Sequence, residues 1–376
     1  MAQTEAIKSA IDKISNFYQH KKDAPIYRCE FGFRPLKPEA WGGEPDPGSG
    51  NDWISENYYD ENVQFMLGRL GWCEGEFSPW YEPKVLEDRG KYELFRDRSG
   101  RQMHRFKGDY NWFMPSFEAH PVADEASWER DVKWRLDPET PERYADLETR
   151  MAHAKKCQDH GIFICQEMVG GYMFLRSLIG PEQLLYMFYD NPKLISICME
   201  AWFNLADKVC SVHQQYVDID EIYMAEDICF NHGPLISYDM IREFLLPYYQ
   251  QFTENLRKRQ SNGRKIHIHV DTDGFCVPVI DIYREMGMAC MSPIEAASGC
   301  DVVEIRQKYP DLLLKGGFDK RIMAGGKDGV DRELERIMPF MRKHGGYIPT
   351  CDHIVPIEVT KEKYLYYRRR MSEYCV

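Results

Sequence analysis

The sequence lacks the features that would place the chain in a membrane or on a nucleic acid. No eighteen apolar residues run together, and the N-terminal MAQTEAIKSAIDKISNFYQH has no apolar core of the kind found in signal peptides. The net charge is -12, with no Lys/Arg tract to reverse it locally. Such a charge repels phosphate backbones and anionic lipid surfaces. We therefore expect a cytoplasmic protein that binds neither nucleic acid nor membrane.

Two other sequence patterns are also missing. The 12 cysteines are spread singly and include no CxxC pair, which is typical of reduced thiols rather than of a disulfide framework. No G-x-G-x-x-G opens a strand and helix unit, so a dinucleotide-binding sheet is disfavoured. What remains is a chain of 376 residues that is 43% hydrophobic and 13% aromatic, enough to build a sizeable core.

Short apolar runs alternate with helical patterns from Gly161 onward. Six runs predict buried strands: IFICQEMVG, EIYMAEDIC, KIHIHVDT, MACMSPIEA, LLLKGGFD and GGYIPTCDH. Ser237, Asp301 and Thr360 precede helical stretches as N-cap signals. This alternation favours an α/β fold, a (β/α)8 TIM barrel, over an open sheet.

The first 150 residues follow another pattern. Residues 39–53, EAWGGEPDPGSGNDW, predict a loop rich in Pro and Gly, and DRGKYELFRDRSGRQMHRF predicts a hairpin that turns at Arg98–Gly100. We interpret residues 1–150 as an N-terminal elaboration on one domain spanning 1–376, with 151–376 as the barrel region.

Polar side chains follow the predicted strands at their carboxyl ends, where barrel enzymes place catalytic residues. They are Glu167, Glu226, Asp227, His269, Asp271, Asp273, Glu295, Asp319, Cys351, Asp352 and His353. Alternation puts His267, His269 and Asp271 on one face of their strand. By the parity of Ile222 and Met224 we expect Glu226 to enter the lumen and Asp227 to face the helices.

These side chains offer ligands for a divalent ion. His269, His353 and Cys351 supply nitrogen and sulfur ligands that suit zinc, and oxygen ligands come from Asp271, Glu226 and Glu295. Each residue also has a structural reading: Asp273 beside Gly274 can shape a turn, His267 can be a core histidine, and Asp319 can cap a helix. A site of carboxylates and histidines without metal stays open.

Five blocks of sequence form a recognisable series: MAEDICFNHGPLISYDMIREFLLPYYQQF, HVDTDGF, SPIEAASGCDVVEIRQKY, LKGGFDKRIMAGG and GGYIPTCDHIVPIEVTKEKYLYY. In their order and spacing they resemble the uroporphyrinogen decarboxylase superfamily, from about Gly161 to the C-terminus. The resemblance implies a (β/α)8 barrel. It also implies either the decarboxylase activity or a zinc-dependent methyl transfer to or from a corrinoid protein.

Departures from the family decide between these branches. The N-terminal RQAGR type segment of the decarboxylase has no counterpart here; EFGFRPLKPEAWGG stands in its place. The His-x-Cys-Gly zinc motif of the methyltransferases is matched by HVDTDG, which puts His269 and Asp271, or Asp271 and Asp273, where His and Cys would stand. The resemblance therefore implies an oxygen- and nitrogen-rich site, with Cys351 and His353 near the place of the second cysteine.

We predict a cobamide-dependent methyltransferase that moves a methyl group from a small donor, an aryl methyl ether among the options, to a separate corrinoid protein. Its catalytic residues would be Glu226, Asp271 and Glu167. Its metal, zinc by preference, would be held by His269, Asp271, Glu295, Cys351 and His353. No Asp-x-His-x-x-Gly stretch offers a lower cobalt ligand in this chain, so the corrinoid must sit on a partner. The oligomeric state stays open, a homodimer included.

Substrate contacts are assigned to Arg34, Trp41 and Asp319. An N-terminal group of aromatic residues could wall the donor pocket or form a separate apolar cluster: Trp41, Trp53, Tyr58, Tyr59, Trp72, Trp80 and Tyr81. A rival reading is a lyase that decarboxylates a smaller acid held by Arg34, Arg176 or Arg321. A non-catalytic corrinoid or small-molecule binder on the same barrel is the third.

Overall fold

The computed structural model describes residues 2–33, 41, 53–107 and 116–376. The strands are β1 Gln64–Leu70, β2 Lys84–Arg89, β3 Tyr92–Arg96, β4 Gln102–Phe106, β5 Ser116–Ala119, β6 Phe163–Val169, β7 Glu221–Ala225, β8 Cys229–Phe230, β9 Gly233–Pro234, β10 His267–Asp271, β11 Met288–Ser292, β12 Leu313–Lys315 and β13 Tyr347–Ile348.

The α-helices are α1 Ala2–Tyr18, α2 Trp53–Tyr58, α3 Glu125–Ser127, α4 Leu147–Asp159, α5 Gly171–Ile179, α6 Pro181–Asp190, α7 Pro192–His213, α8 Tyr238–Met240, α9 Leu246–Arg259, α10 Ile280–Glu285, α11 Val302–Lys308, α12 Lys320–Gly325, α13 Lys327–His344 and α14 Lys361–Tyr374. None of these helices, within the described ranges, is both long and apolar enough to cross a bilayer.

A curled sheet of seven parallel strands forms the centre of the fold. Its order is β1-β6-β7-β10-β11-β12-β13. All six predicted strands from Gly161 onward are present, because each is an apolar run too short for a helix. The first strand, β1, was not predicted, since Gly68 and a change of register between Met66 and Arg69 interrupt its pattern.

The sheet is an open form of the predicted eight-stranded barrel. No ladder joins β13 to β1 among the described residues. The segment 24–33 lies in that gap: the Arg28 carbonyl accepts from Asp60 N just before β1, and the Gly32 carbonyl accepts from Val355 N beyond β13, both at 2.9 Å. The fold is therefore barrel-like, with seven strands in its parallel sheet.

The predicted hairpin is confirmed. Strands β3 and β4 pair antiparallel, from Tyr92 with Phe106 to Arg96 with Gln102, so the chain reverses across 97–101. Strands β2 and β5 extend the hairpin to a four-stranded sheet. The three predicted helix caps are also confirmed, since the side chains of Ser237, Asp301 and Thr360 accept from backbone N–H groups in the first turns of their helices.

The two faces of the central sheet differ in character. Ile222, Met224, Ile268 and Val270 are fully or almost fully buried in the main core, against the surrounding helices. The other face of the same strands carries polar side chains into the lumen. A second apolar cluster, which includes Tyr18 of α1, Phe163 and Leu313, lies at the amino ends of the strands. The polar chemistry is therefore directed toward the lumen and its carboxyl end.

Candidate active site

Strand register aligns a row of side chains across the lumen. Glu167 pairs with Tyr223, Tyr223 with His269, and His269 with Cys290. Directly opposite residues of neighbouring parallel strands share a face, so this row lies on one side of the sheet. Glu167, His269 and Asp271 were predicted as site residues, and the sheet places all three on its lumen face.

We call the hydrogen-bonded residues of this face the lumen network: Tyr18, Glu221, Tyr223, His269, Asp271 and Ser292. The His269 Nδ1 lies 3.2 Å from Glu221 Oε1, and its Nε2 lies 2.9 Å from Ser292 Oγ. Tyr223 Oη donates to Asp271 Oδ2 over 2.7 Å. Ser292 donates to the same carboxylate oxygen, and Tyr18 donates to Glu221.

The hydrogen bonds of the network link His269 to both lumen acids. The Ser292 hydroxyl donates its single proton to Asp271 and faces His269 Nε2 with its lone pairs. His269 Nδ1 faces the Glu221 carboxylate. Burial alone would raise the pKa of Glu221, but the charge and hydrogen bond of His269 outweigh it, and that pKa is lowered. His269 therefore contacts Glu221 directly and Asp271 through Ser292.

A second group of polar residues lies beyond the strand ends. We call it the mouth cluster: Asp227, Asp273, Glu295, Lys320 and His353. Asp273 N donates to Asp227 Oδ1 over 3.2 Å, and Gly274 N donates to Glu295 Oε2 over 2.9 Å. Lys320 Nζ lies 3.3 Å from Glu295 Oε1. Ile294, at φ +60°, is a strained residue that turns the chain directly before Glu295.

One acid and one base of the mouth cluster face each other. His353 Nε2 lies 3.5 Å from Asp273 Oδ2. Partial burial and the carboxylates of Asp227, Glu295 and Asp271 raise the pKa of Asp273 to about 8. Burial and the Lys320 ammonium lower the pKa of His353. The Asp273 side chain is 38% exposed, so water screens part of this field, and burial and the three nearby acids act in the same direction. The two shifts reverse the usual order of the pair, so that Asp273 rather than His353 holds the proton near neutral pH.

Glu226 does not enter the lumen, contrary to the prediction. It is fully buried on the helix side, where its carboxylate accepts from Tyr172 N, Tyr249 Oη and Tyr283 Oη. A Cβ at Gly170 would come within 2.1 Å of Glu226 Oε2, so this close approach requires glycine. Burial raises the pKa of Glu226 to about 7. The residue anchors the first turn of α5 and is closed to substrate.

Asp227 faces the mouth instead, so the predicted orientations are reversed. Arg176 Nη2 lies 3.4 Å from Asp227 Oδ2, and burial raises the pKa of Asp227 despite that arginine. The physical reason lies in the strand: Ile222 and Met224 are apolar because they face the helices, and their parity carries Glu226 to the same side.

The predicted zinc ligands are not brought together. Within the described parts of the chain, no three His, Cys, Asp or Glu side chains converge as a ligand set. Both His269 nitrogens are engaged in the lumen network, whereas Glu295 and His353 belong to the mouth cluster. The Cys351 thiol is buried beside Asp352, 3.8 Å from Oδ1, and burial raises its pKa. This arrangement of donors does not fit a tetrahedral zinc site.

The predicted substrate contacts have mixed placements. Arg34 lies outside the described residues. Trp41 is 5% exposed and packs against Phe33 and Tyr364. Asp319 caps α12 and pairs with Arg321 at 2.7 Å, so its carboxylate is committed to the helix. The substrate roles of Trp41 and Asp319 stay predictions without a supporting contact.

Of the N-terminal aromatic residues, Trp72 reaches the lumen. Its ring stacks on Tyr223, with centroids 5.5 Å apart and planes 2° apart. Tyr59 instead hydrogen bonds to Tyr364, Tyr81 donates to the Asp131 carbonyl, and Trp80 packs on Phe77. The described residues of the predicted aromatic wall therefore divide into separate clusters, and among them Trp72 stacks on the lumen network.

Comparison with known proteins assigns the family. Residues 130–374 match the uroporphyrinogen decarboxylase (URO-D) family, which is more than half of the chain. The chain belongs to this family. A curated relative, the uroporphyrinogen decarboxylase of Pseudomonas entomophila (strain L48), is 24% identical over 186 residues, which is 47% of each sequence. The chain thus aligns with about half the length of that relative.

A solved structure supports the fold of this URO-D family member. A methyltransferase from Methanosarcina mazei superposes with a TM-score of 0.58 and covers 96% of both chains at 13% identity. At that identity the likeness concerns the fold alone. It agrees with the barrel-like parallel sheet and extends over the N-terminal part of the chain as well as the matched family region.

Sequence reasoning missed Lys315 of this URO-D family member. Lys315 ends β12, two residues after the lumen residue Leu313. No hydrogen bond or ion pair reaches its ammonium group from the described residues. Burial would lower its pKa, but the field of Cys29, Glu221, Cys290 and Asp271 raises it, so the ammonium stays charged. The sequence did carry a signal for it, because a single lysine follows the apolar run LLL at the end of a predicted strand.

Proposed function

We propose that this chain is a methyltransferase that protonates the leaving oxygen of a small methyl donor as the methyl group departs. The observation that carries the proposal is the Asp273 and His353 pair, 3.5 Å apart at the barrel mouth. A carboxyl group whose pKa lies above its ordinary range holds a proton near neutral pH, which is what a general acid requires.

The chemistry assigned to the pair is a single proton transfer. As the carbon–oxygen bond of a methyl ether breaks, its electron pair stays on oxygen, and Asp273 donates its proton to that oxygen. The products at this end are a phenol or alcohol and an Asp273 carboxylate. His353, which is neutral because burial and Lys320 lower its pKa, relays a proton from solvent to restore the acid. Such a step contributes about 10²- to 10⁴-fold to the rate.

The methyl acceptor belongs to a partner in this proposal. A corrinoid on a separate protein would supply a nucleophilic cobalt atom that takes the methyl group. The present chain would bind the donor beside Trp72 and orient the ether oxygen toward Asp273. The aromatic face of Trp72, stacked on Tyr223, favours an aryl methyl ether as donor.

Two arginines assigned to the rival decarboxylase are already engaged. Arg176 donates to the carboxylate of Asp227 at 3.4 Å and to the backbone carbonyl of Asp227 at 3.3 Å. Arg321 is bound to Asp319 and lies mostly in solvent, with 62% of its side chain exposed. Neither is free to hold a substrate carboxylate in the lumen, which favours methyl transfer.

Decarboxylation is kept as the second candidate because of Lys315. Its ammonium group, without a partner among the described residues, can bind the carboxylate of a small acid, and Asp273 could then protonate the carbon from which carbon dioxide leaves. For the methyltransferase, the same lysine would select donors that carry a carboxylate or phenolate beside the methyl ether.

A direct assay separates the two candidates. Purified protein is incubated with 3-methoxybenzoate or 4-methoxybenzoate and chemically reduced cob(I)alamin, and methylcobalamin is followed by its absorbance. Our proposal expects methylcobalamin and the matching phenol in equal amounts. Release of carbon dioxide from the same acids without any corrinoid would replace it with the decarboxylase.

The predicted zinc site is kept as a separate proposal. Its predicted ligands do not converge among the described residues. Metal content per chain, measured on protein purified without chelator, tests it, with His353→Ala and Cys351→Ala as the variants. Stoichiometric zinc that both variants lose would support the prediction and would require the mouth cluster to rearrange around the ion.

The finer fold assignment is also a proposal. We propose a single domain spanning 1–376, with eight barrel positions and the segment 24–33 in the eighth. The backbone bonds from that segment to both sides of the gap support it, as does the 2.7 Å bond from Cys351 N to the carboxylate of Glu30.

A further inference from the structure

Two buried cysteines lie in contact directly behind the mouth cluster. Cys276 Sγ and Cys300 Sγ are 3.6 Å apart, and the residues are 0% and 3% exposed. No other two thiols in the described ranges are in hydrogen-bonding contact. Most of the remaining cysteines are buried singly in the core, where a thiol behaves as a small apolar side chain.

The surroundings of the pair are asymmetric. Cys300 Sγ lies 3.5 Å from the Gly274 carbonyl, and the thiol of Cys276 together with the N–H groups of Cys276 and Val277 is placed to donate to it. These donors lower the pKa of Cys300, whereas the contact with Cys300 and burial raise that of Cys276. Cys300 is thus the more nucleophilic sulfur.

The pair joins the two loops that carry the mouth acids. Cys276 follows Asp273 by three residues, and the Gly274 N–H of that loop binds the Glu295 carboxylate at 2.9 Å. Cys300 N donates to the Glu295 carbonyl at 3.2 Å. A change in the distance between the two sulfurs would therefore move the backbone that carries Asp273 and Glu295.

We propose that Cys276 and Cys300 form a redox-sensitive dithiol that hydrogen peroxide converts to a disulfide. The Cys300 thiolate attacks one peroxide oxygen, the O–O bond breaks, and hydroxide leaves a sulfenic acid on Cys300. The Cys276 sulfur then attacks Cys300 sulfur, the S–O bond breaks, and the hydroxyl leaves as water with the thiol proton. Two thiols lose two electrons in total, and peroxide is reduced to water.

Disulfide formation would shorten the contact considerably. The sulfurs would move from 3.6 Å to about 2.05 Å. The loops after β10 and β11 would be drawn together at the base of the mouth cluster. The proposed disulfide does not depend on whether the chain transfers methyl groups or removes carboxyl groups.

The test is a thiol map of the full-length protein after mild peroxide treatment. Unreacted thiols are blocked in denaturant, and the tryptic peptides 266–284 and 285–306 are searched for a linked species two hydrogens lighter than their sum. Cys290 shares the second peptide, so fragmentation must place the bond at Cys300. We expect the linked species, its loss on reduction, and the disappearance of two of the 12 thiols.

Two variants test the assigned order of attack. In Cys276→Ser, peroxide should leave a sulfenic acid on Cys300 that dimedone captures. In Cys300→Ser, Cys276 should remain unlabelled under the same conditions. Cys198→Ser, which removes a buried thiol from α7, is the matched control and should keep the disulfide. The proposal would be overturned by a disulfide that joins Cys290 instead of Cys300. It would also be overturned if Cys276 and Cys300 were still thiols after the exposed thiol of Cys73 had been oxidised.

Discussion

The lumen network and the mouth cluster both contain acids and a histidine, yet the first lies largely on the strands and the second beyond their carboxyl ends, and they hold their charges differently. In the lumen, the Glu221 carboxylate faces His269, the Asp271 carboxylate is linked to it through Ser292, and both acids receive hydroxyl donors from tyrosine or serine. At the mouth, Asp227, Asp273 and Glu295 outnumber the cations that face them. The hydrogen bonds of the lumen network hold their protons between fixed partners, whereas the mouth cluster lets Asp273 release its proton. Substitutions in the two regions should therefore fail in different ways.

The largest effect is expected at Asp273. Asp273→Asn keeps the shape of the side chain and removes its acidic proton, so turnover should fall about 10²- to 10⁴-fold. Stability at neutral pH should not fall, since an acid among acids is removed. Rates of methylcobalamin formation and denaturant unfolding measure the two quantities. Asp190→Asn, at the exposed end of α6, is the control; equal loss of rate in both variants would contradict the assignment.

The opposite pattern is expected at His269. His269→Ala leaves the buried Glu221 carboxylate without the partner whose charge and hydrogen bond lower its pKa. Breaking a buried pair of this kind costs about 3–5 kcal/mol, so the free energy of unfolding should fall by that amount. His232→Ala, on the surface, should change it little. A stable His269→Ala protein would mean that the network does not hold its charges as assigned.

Lys315 lies in the field of the lumen acids Glu221 and Asp271, and its substitution should change binding more than folding. Lys315→Met should weaken 4-methoxybenzoate binding about tenfold or more, since a hydrogen bond to a charged group contributes about 1.5–3 kcal/mol. Lys315→Arg should retain part of the affinity. The control Lys343→Met, at an exposed lysine, should bind 4-methoxybenzoate as tightly as the wild type. Calorimetry with anisole, which lacks the carboxylate, completes the comparison. Equal affinity of wild type and Lys315→Met for the acid would remove Lys315 from the substrate site.

The smallest effect concerns pH and stability. Because the pKa of Asp273 is higher in the folded chain than in the unfolded one, the unfolded chain binds fewer protons between those two values. Stability should therefore fall as pH rises from about 4 toward about 8, and level off above it. The side chain is 38% exposed, so we expect less than about 1 kcal/mol. Asp273→Asn should remove this part of the slope; an unchanged slope would show that Asp273 ionises normally.

The sequence predicted the strand ends well and their orientation poorly. Glu167, His269, Asp273 and His353 were found because acids and histidines directly after apolar runs mark the carboxyl edge of a parallel sheet. Glu226 was misplaced because a strand buried on both faces has no apolar alternation to separate lumen from helix layer. Its parity with Ile222 and Met224 was right, and the face assigned to that parity was wrong.

Other parts of the site lay beyond sequence reasoning. Tyr18 and Glu221 are 203 positions apart, and their hydrogen bond exists only because α1 folds against the amino ends of the strands. The contact of Cys276 with Cys300 likewise depends on two loops that meet. Trp72 and Lys315 carried local signals, an aromatic residue in a polar loop and a charge at a strand end, but their partners come from tertiary structure.

The central claim is that Asp273 holds a proton at neutral pH. Infrared difference spectra between wild type and Asp273→Asn, recorded across a pH series, measure this directly through the carbonyl band of a protonated carboxyl group. We predict a band at pH 7 that is absent in Asp273→Asn and that titrates well above the ordinary carboxyl range. A carboxylate signal alone at pH 7, with titration near pH 4 as for a free side chain, would contradict the account.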